Sequence, residues 1–302
     1  LSKKTSQTRR TGNPKAMESF LELQGVRVGF PIQKGIFRRT HGHKIVLDSV
    51  SFKIARGKTV GLVGESGSGK TTIGRAILGL VPVMSGSIPL HLDDPLISRE
   101  PLDLAHGFPD DFDPSTGQVR SLSRMLRRRL QIIFQDPYSS LNPRLRIGDV
   151  LLEAMHLHFP EMTEALRRKK AKDTLDRVGL SDSALERYPH EFSGGQRQRI
   201  SIARALVLNP EFIVCDECVS ALDVSIQAQI LNLLRDLQEE RRLTYLFISH
   251  DLSVVRYISH EICVLDRGTI VEQGDAARVV DHPQQPYTKR LLEAVPSLIP
   301  RR

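Results

Sequence analysis

Gly64-Glu65-Ser66-Gly67-Ser68-Gly69-Lys70-Thr71 fits the pattern GxxxxGK[ST], and its surroundings decide how the rest of the chain is read. The apolar run TVGLV precedes it at 59–63, and KTTIGRAILGL, with helical spacing, follows from Lys70. Strand, glycine-rich loop and helix in that order open an α/β unit. Glycines let the backbone wrap closely around an anion with its N–H groups pointing inward. The helix that follows presents its positive N-terminus to the same anion. Lys70 is placed to reach β- and γ-phosphates, Thr71 offers a hydroxyl to Mg²⁺, and Thr72 stands next in line.

Downstream, Phe212-Ile213-Val214-Cys215 is an apolar run of the kind that forms a buried strand, and it ends at Asp216-Glu217. A carboxylate at the C-terminal edge of such a strand sits where α/β folds bind ligands. Asp216 can hold Mg²⁺, and Glu217 can orient or deprotonate an attacking water. Upstream, FLELQGVRVGF from Phe20 alternates apolar and polar residues, and a second strand is expected near Val46 to Ile54. The stretch 146–208 reads mostly helical. Strand–helix alternation then returns with EFIVCDE, QAQILNLLRDLQEE, LTYLFIS, DLSVVRYIS and EICVLD. A helical block between two α/β portions implies a core with a subdomain grafted into it.

The chain has 302 residues, 40% hydrophobic and 26% charged, which is ordinary for a chain that buries a core. Three cysteines make neither a disulfide scaffold nor a zinc pattern. No apolar run is long enough to span a membrane. The net charge of +8 invites a nucleic-acid reading, but five of those charges (Lys3, Lys4, Arg9, Arg10 and Lys15) lie in residues 1–16, which read as a flexible tail or linker. The stretch from Asp93 to Asp113 carries seven acidic residues and one Arg and reads as a surface insertion, within about 88–120. Arg124, Arg127, Arg128 and Arg129 are expected on the surface.

Phe192-Ser193-Gly194-Gly195-Gln196-Arg197-Gln198-Arg199 resembles the signature motif of ABC-type ATPases, and it lies between a Walker A match (64–71) and a Walker B match (212–217). Gln135 in FQDP matches the Q-loop, Ser220-Ala221-Leu222-Asp223 the D-loop, and His250 in ISHD the switch histidine. The resemblance implies a P-loop NTPase (RecA-like) α/β core with an N-terminal antiparallel β portion and an inserted α-helical subdomain at about 144–205. It places the ATPase domain at 17–282 and a C-terminal tail at 283–302. It also implies ATP and Mg²⁺ as ligands. Gln135 would sense Mg²⁺ and the attacking water, and His250 would hydrogen-bond the γ-phosphate and help to position Glu217. Phe30 in VGFPIQKG would stack on adenine. Ser193 and Gly195, with Gly194 and Gln196, would touch the ATP bound to a partner domain; Ser193 is equally placed to be a helix N-cap. The family usually has Pro after the catalytic Glu, whereas Cys218 stands here, so a looser turn is expected.

FPIQKGIF, FQDPYSSLNPR, RYPHEFSGGQRQRI, ALDVSIQAQI and HPQQPYTKRLLEAVP resemble the oligopeptide/dipeptide importer branch of that family. This implies a second ABC ATPase domain, two transmembrane permease subunits docked around Tyr138 to Asp149, and an indirect extracytoplasmic solute-binding protein. The place of work would be peripheral, at the cytoplasmic face of the inner (plasma) membrane. The physical reading of the last segment is an amphipathic tail helix that packs on the domain. The leucine start and the basic tail fit the second half of a fused double ATPase. The competing reading is a soluble ABC ATPase acting on nucleic acid in repair or translation. Such proteins usually carry a long coiled-coil insertion or two ATPase units; this chain has neither, and an acidic insertion repels phosphate backbones, so no nucleic-acid partner is expected.

Overall fold

The alternating pattern from Phe20 forms β1 (Ser19–Lys34), which pairs antiparallel with β2 (Arg39–Ala55) through several register shifts. The computed structural model describes residues 19–34, 39–92, 100–108 and 119–294. The basic tail 1–16, most of the acidic stretch and the chain from 295 onward lie outside the described residues. β3 (Thr59–Val63) is buried along its whole length and leads through the glycine-rich loop into α1 (Lys70–Ile77). Three short strands follow, β4 (Ser85–Ser87), β5 (Pro89–Leu90) and β6 (Leu102–Asp103), and they extend the antiparallel sheet in the order β2-β1-β5-β6, with β4 also on β1.

α2 (Val119–Arg129) runs directly into β7 (Leu130–Ile133). The helical block consists of α3 (Ile147–His158), α4 (Glu164–Arg177) and α5 (Gly194–Leu206). The chain then alternates through β8 (Phe212–Asp216), α6 (Val224–Arg241), β9 (Thr244–Ile248), α7 (Leu252–Ile258), β10 (Glu261–Asp266) and β11 (Thr269–Asp275). It finishes with α8 (Ala276–Asp281) and α9 (Pro286–Ala294).

The second sheet has the order β11-β10-β3-β9-β8-β7 and is parallel except where β11 turns back on β10. β3, β8 and β9 are buried at every residue, as a parallel sheet covered on both faces requires. Alternate side chains serve two cores. Ile213, Cys215, Tyr245 and Phe247 pack with the helical block, while Val214, Leu246, Ile248 and Leu62 pack with α1 and the antiparallel sheet. Register then aligns the strand ends: Leu62 pairs with Ile248, Ile248 with Asp216, and Ile133 with Cys215. Residues one or two positions beyond each pair therefore leave the sheet along a single edge.

The arginine run lies at the surface, with Arg127 exposed and Arg124, Arg128 and Arg129 part-exposed. It is helical, because Leu122, Met125 and Leu126 recur on one face and pack into the core. Its arginines are engaged. Arg129 pairs with Glu211 at 3.1 Å, and the guanidinium groups of Arg127 and Arg128 lie 5.9 and 5.2 Å from the rings of Phe108 and Phe159.

Candidate active site

The phosphate loop is shaped by backbone angles that a side chain would resist. Gly69 is the N-cap of α1 with φ 110°, and a Cβ there would come 2.7 Å from Leu47 Cδ2. No side chain caps α1, so its first turn opens directly onto the loop. Lys70 is buried, and its Nζ donates to the carbonyls of Gly64 (2.8 Å) and Glu65 (2.9 Å). Burial lowers the Lys70 pKa, and the charges of Glu217 and Asp216 act in the opposite direction. Ser66 and Gly67 are exposed at the tip, and Gly67 has φ 81°. Ser68 Oγ is buried with no hydrogen-bond partner among the described residues. The Glu65 N–H donates to the hydroxyl of Tyr287 at 3.0 Å.

Across the sheet edge, Thr71 Oγ1 donates to Asp216 Oδ1 at 3.0 Å, joining residues 145 positions apart. Burial raises the Asp216 pKa, opposed by the Thr71 hydroxyl and reinforced by the charge of Glu217. Glu217 has φ 47°, a left-handed conformation that costs a non-glycine residue about 1–2 kcal/mol. The turn is tied at both ends. The Glu217 N–H donates to the Ile248 carbonyl at 3.0 Å, while the Glu217 carbonyl accepts from Ser220 N–H (3.1 Å) and Ser220 Oγ (2.9 Å). This places Glu217 Oε2 3.3 Å from Gln135 Nε2 and 3.4 Å from His250 Nδ1. Two side chains, from the ends of β7 and β9, thus converge on one carboxylate oxygen at the end of β8. Cys218 is buried beside this turn, and the bonds from Ser220 replace the looseness expected without proline. The neighbouring Cys218 thiol and burial hold the Cys215 thiol well above its ordinary range.

Ser193 caps α5. Its hydroxyl accepts from Gln196 N–H at 3.3 Å, and Gln196 Oε1 accepts from Ser193 N–H at 3.0 Å. Gly195 packs so closely on α6 that a Cβ would lie 2.5 Å from Ile226 Cγ2. No hydrogen bond or ion pair among the described residues joins Ser193–Gln196 to the phosphate loop. Phe30 lies on β1 with its side chain 41% exposed. Thr72 follows Thr71 in the first turn of α1. Tyr287 escaped sequence reasoning: HPQQPYT was read as a packing helix, and nothing local marks its phenol as a partner of a loop 222 residues away.

The family model described as ABC transporter matches residues 47–220. The chain belongs to the ABC transporter family. An oligopeptide transport ATP-binding protein of Bacillus subtilis, AppF, is 47% identical over 279 residues, covering 92% of this chain and 79% of that protein. An uncharacterized ABC transporter ATP-binding protein of Escherichia coli, YejF, is 44% identical over 279 residues, but this chain spans only 49% of its length. Among solved structures, the ATP-binding cassette MJ0796, dimeric in a post-hydrolysis state with ADP and Pi, superposes with a TM-score of 0.67. It is 26% identical, and the match covers 85% of this chain and 98% of that one. The fold is accordingly that of an ABC ATPase cassette. As an ABC ATPase the chain binds ATP, and the loop chemistry agrees: a helix start without a side-chain cap, a buried lysine and a buried hydroxyl without a partner among the described residues lie within one glycine-rich loop.

Proposed function

We propose that this chain is the ATP-binding and hydrolysing subunit that energises import of peptides, or a related solute, through a membrane ABC transporter. The observation that carries the ATPase reading is the sharing of one Glu217 oxygen by Gln135 and His250, beside the Thr71–Asp216 bond. A carboxylate acceptor held this way can position a water and take its proton, which as general base catalysis is worth about 10²–10⁴-fold in rate. The residues of 64–72 bind the phosphates, and Phe30 stacks on adenine. Mg²⁺, held by Thr71 and Asp216, would neutralise charge on the phosphates. The peptide reading rests on the B. subtilis relative's being an oligopeptide transport ATP-binding protein and on the segments that resemble the importer branch.

Ser193, Gly194, Gly195 and Gln196 serve the nucleotide of a second, homologous ATPase domain. Two permease subunits dock near Tyr138–Asp149, where Tyr138 is exposed under the guanidinium of Arg197. The position is peripheral, on the cytoplasmic side of the membrane; no helix of the described residues is long and apolar enough to cross one. Glu217→Gln tests the core of this reading. Steady-state hydrolysis should fall by at least about 10²-fold, while equilibrium ATP binding persists. Turnover at the normal rate would remove Glu217 as the base. For the transport half, ATPase activity should rise when the membrane partners and a peptide-loaded receptor are supplied, and stay flat with DNA or RNA.

A further inference from the structure

We infer that Tyr287 is a positioning residue for the phosphate loop, carried there by a turn that the Glu272 carboxylate fastens to β11. This rests on the phosphate loop being the nucleotide site, as proposed above. Tyr287 sits near the start of α9 and is 7% exposed. Its oxygen accepts the Glu65 N–H at 3.0 Å. The same residue, Glu65, offers its carbonyl to Lys70 Nζ at 2.9 Å. The phenol, one residue of loop backbone and the lysine ammonium therefore form a continuous hydrogen-bonded chain, and the conformation of Glu65 is fixed from both sides.

The phenol is itself held from behind. Glu272 Oε1 accepts Gln284 N–H at 2.8 Å, and Oε2 accepts Gln285 N–H at 3.1 Å, one amide to each oxygen. Pro286 starts α9 immediately afterwards, its fixed φ suited to a first helical position. Thr288, next to Tyr287, is fully buried. Glu272 lies on β11, which pairs with β10, and β10 pairs with β3, whose end is the loop. The strap is thus built on the same sheet that launches the loop, so its reach is set by rigid elements at both ends. The Arg290 guanidinium, 5.8 Å from the Tyr287 ring, lies on the same helix. The contact is not to a phosphate-facing group: it works through the shape of the loop and the aim of Lys70.

The test is a titration of the intact polypeptide with a fluorescent ATP analogue and Mg²⁺, at a temperature where circular dichroism shows every variant folded. Tyr287→Phe keeps the ring and deletes the acceptor, leaving the Glu65 N–H without it, and should weaken binding by about 3–10-fold. Glu272→Gln, which keeps one of the two acceptor oxygens, should weaken it less, and Tyr287→Phe combined with Glu272→Gln should be no worse than Tyr287→Phe alone. In hydrolysis assays the Tyr287→Phe loss should appear in KM for ATP more than in kcat. A phenol that only packs the helix would shift the melting temperature and leave affinity and KM where they were, and that result overturns the proposal. Lys70→Ala in the same titration separates the two levels: if it too binds normally, the nucleotide reading of the loop fails together with the inference.

Discussion

α1 and α5 both begin with glycine-rich turns, yet their first turns are finished differently. α1 has Gly69 as its N-cap, which brings no side chain to its own helix, and the same loop holds the buried Lys70 ammonium and the Ser68 hydroxyl, which has no partner among the described residues. α5 starts at Ser193, which closes a reciprocal box with Gln196. One helix start is therefore built around a guest within its own chain. The other is closed by its own side chains, and on the proposed function its hydroxyl is the group that would turn to the nucleotide of a second ATPase domain. An anion-binding helix start can thus be a standing site or a switchable one, according to whether a side chain already occupies its donors.

This contrast can be broken at either end. Gly69→Ala should have the larger effect. The new methyl meets Leu47 at 2.7 Å in a backbone conformation that already disfavours it, and ATP affinity should fall by more than about tenfold as the loop is displaced. An affinity within about twofold of wild type would mean that the loop accommodates a side chain at Gly69 without being displaced. Ser193→Asp comes next. Aspartate caps a helix as well as serine does, so the melting temperature should hold, but a negative charge facing a neighbour's phosphate should cut cooperative hydrolysis by about tenfold or more. Should hydrolysis survive, Ser193 is a cap and nothing else. Ser193→Ala provides the complement, costing about 1 kcal/mol of helix stability in a denaturant titration.

The smallest expected shift, one of melting temperature, lies opposite the first turn of α1. Burial raises the Asp216 pKa, so ionised Asp216 is the form the fold disfavours. A raised folded pKa means the group favours folding most below its unfolded pKa, and that contribution is gone once pH exceeds the folded value. Asparagine carries no charge at any pH. Asp216→Asn should therefore lose hydrolysis yet melt on the order of 2 °C higher near pH 8. The gain should shrink toward zero as the pH falls through the carboxylate range. A gain that grows on acidification would reverse the sign assigned to the site.

Much of this architecture is legible without coordinates, for identifiable reasons. The uninterrupted apolar runs 59–63, 212–215 and 244–248 announce strands covered on both faces, and all three are buried throughout. The loop could be read because glycine, lysine and threonine at fixed spacing have few other uses together. The arginines of 124–129 were read only as surface charge, which their exposure fits, while the apolar residues beside them, Leu122, Met125 and Leu126, whose spacing makes the segment a helix, were not weighed. Tyr287 was invisible because its partner is a backbone amide 222 residues away, which has no sequence signature of its own. The convergence on Glu217 lay between these cases. Gln135 and His250 could each be picked out, but only strand register brings both to one oxygen.

That register also has a consequence for synthesis. The phosphate loop emerges before its partners: the carboxylates, the histidine and the tyrosine behind it follow 145 or more residues after the loop threonine. Parallel strands with such separations pair late, because chain closure must precede the contacts that reward it. On the proposed roles of Glu217 and His250, a nascent chain that already displays the loop gains its base and its histidine only when β8 and β9 are zipped beside β3. On the same reading, pairing of β3, β9 and β8 acts as an assembly checkpoint that hydrolysis must wait for.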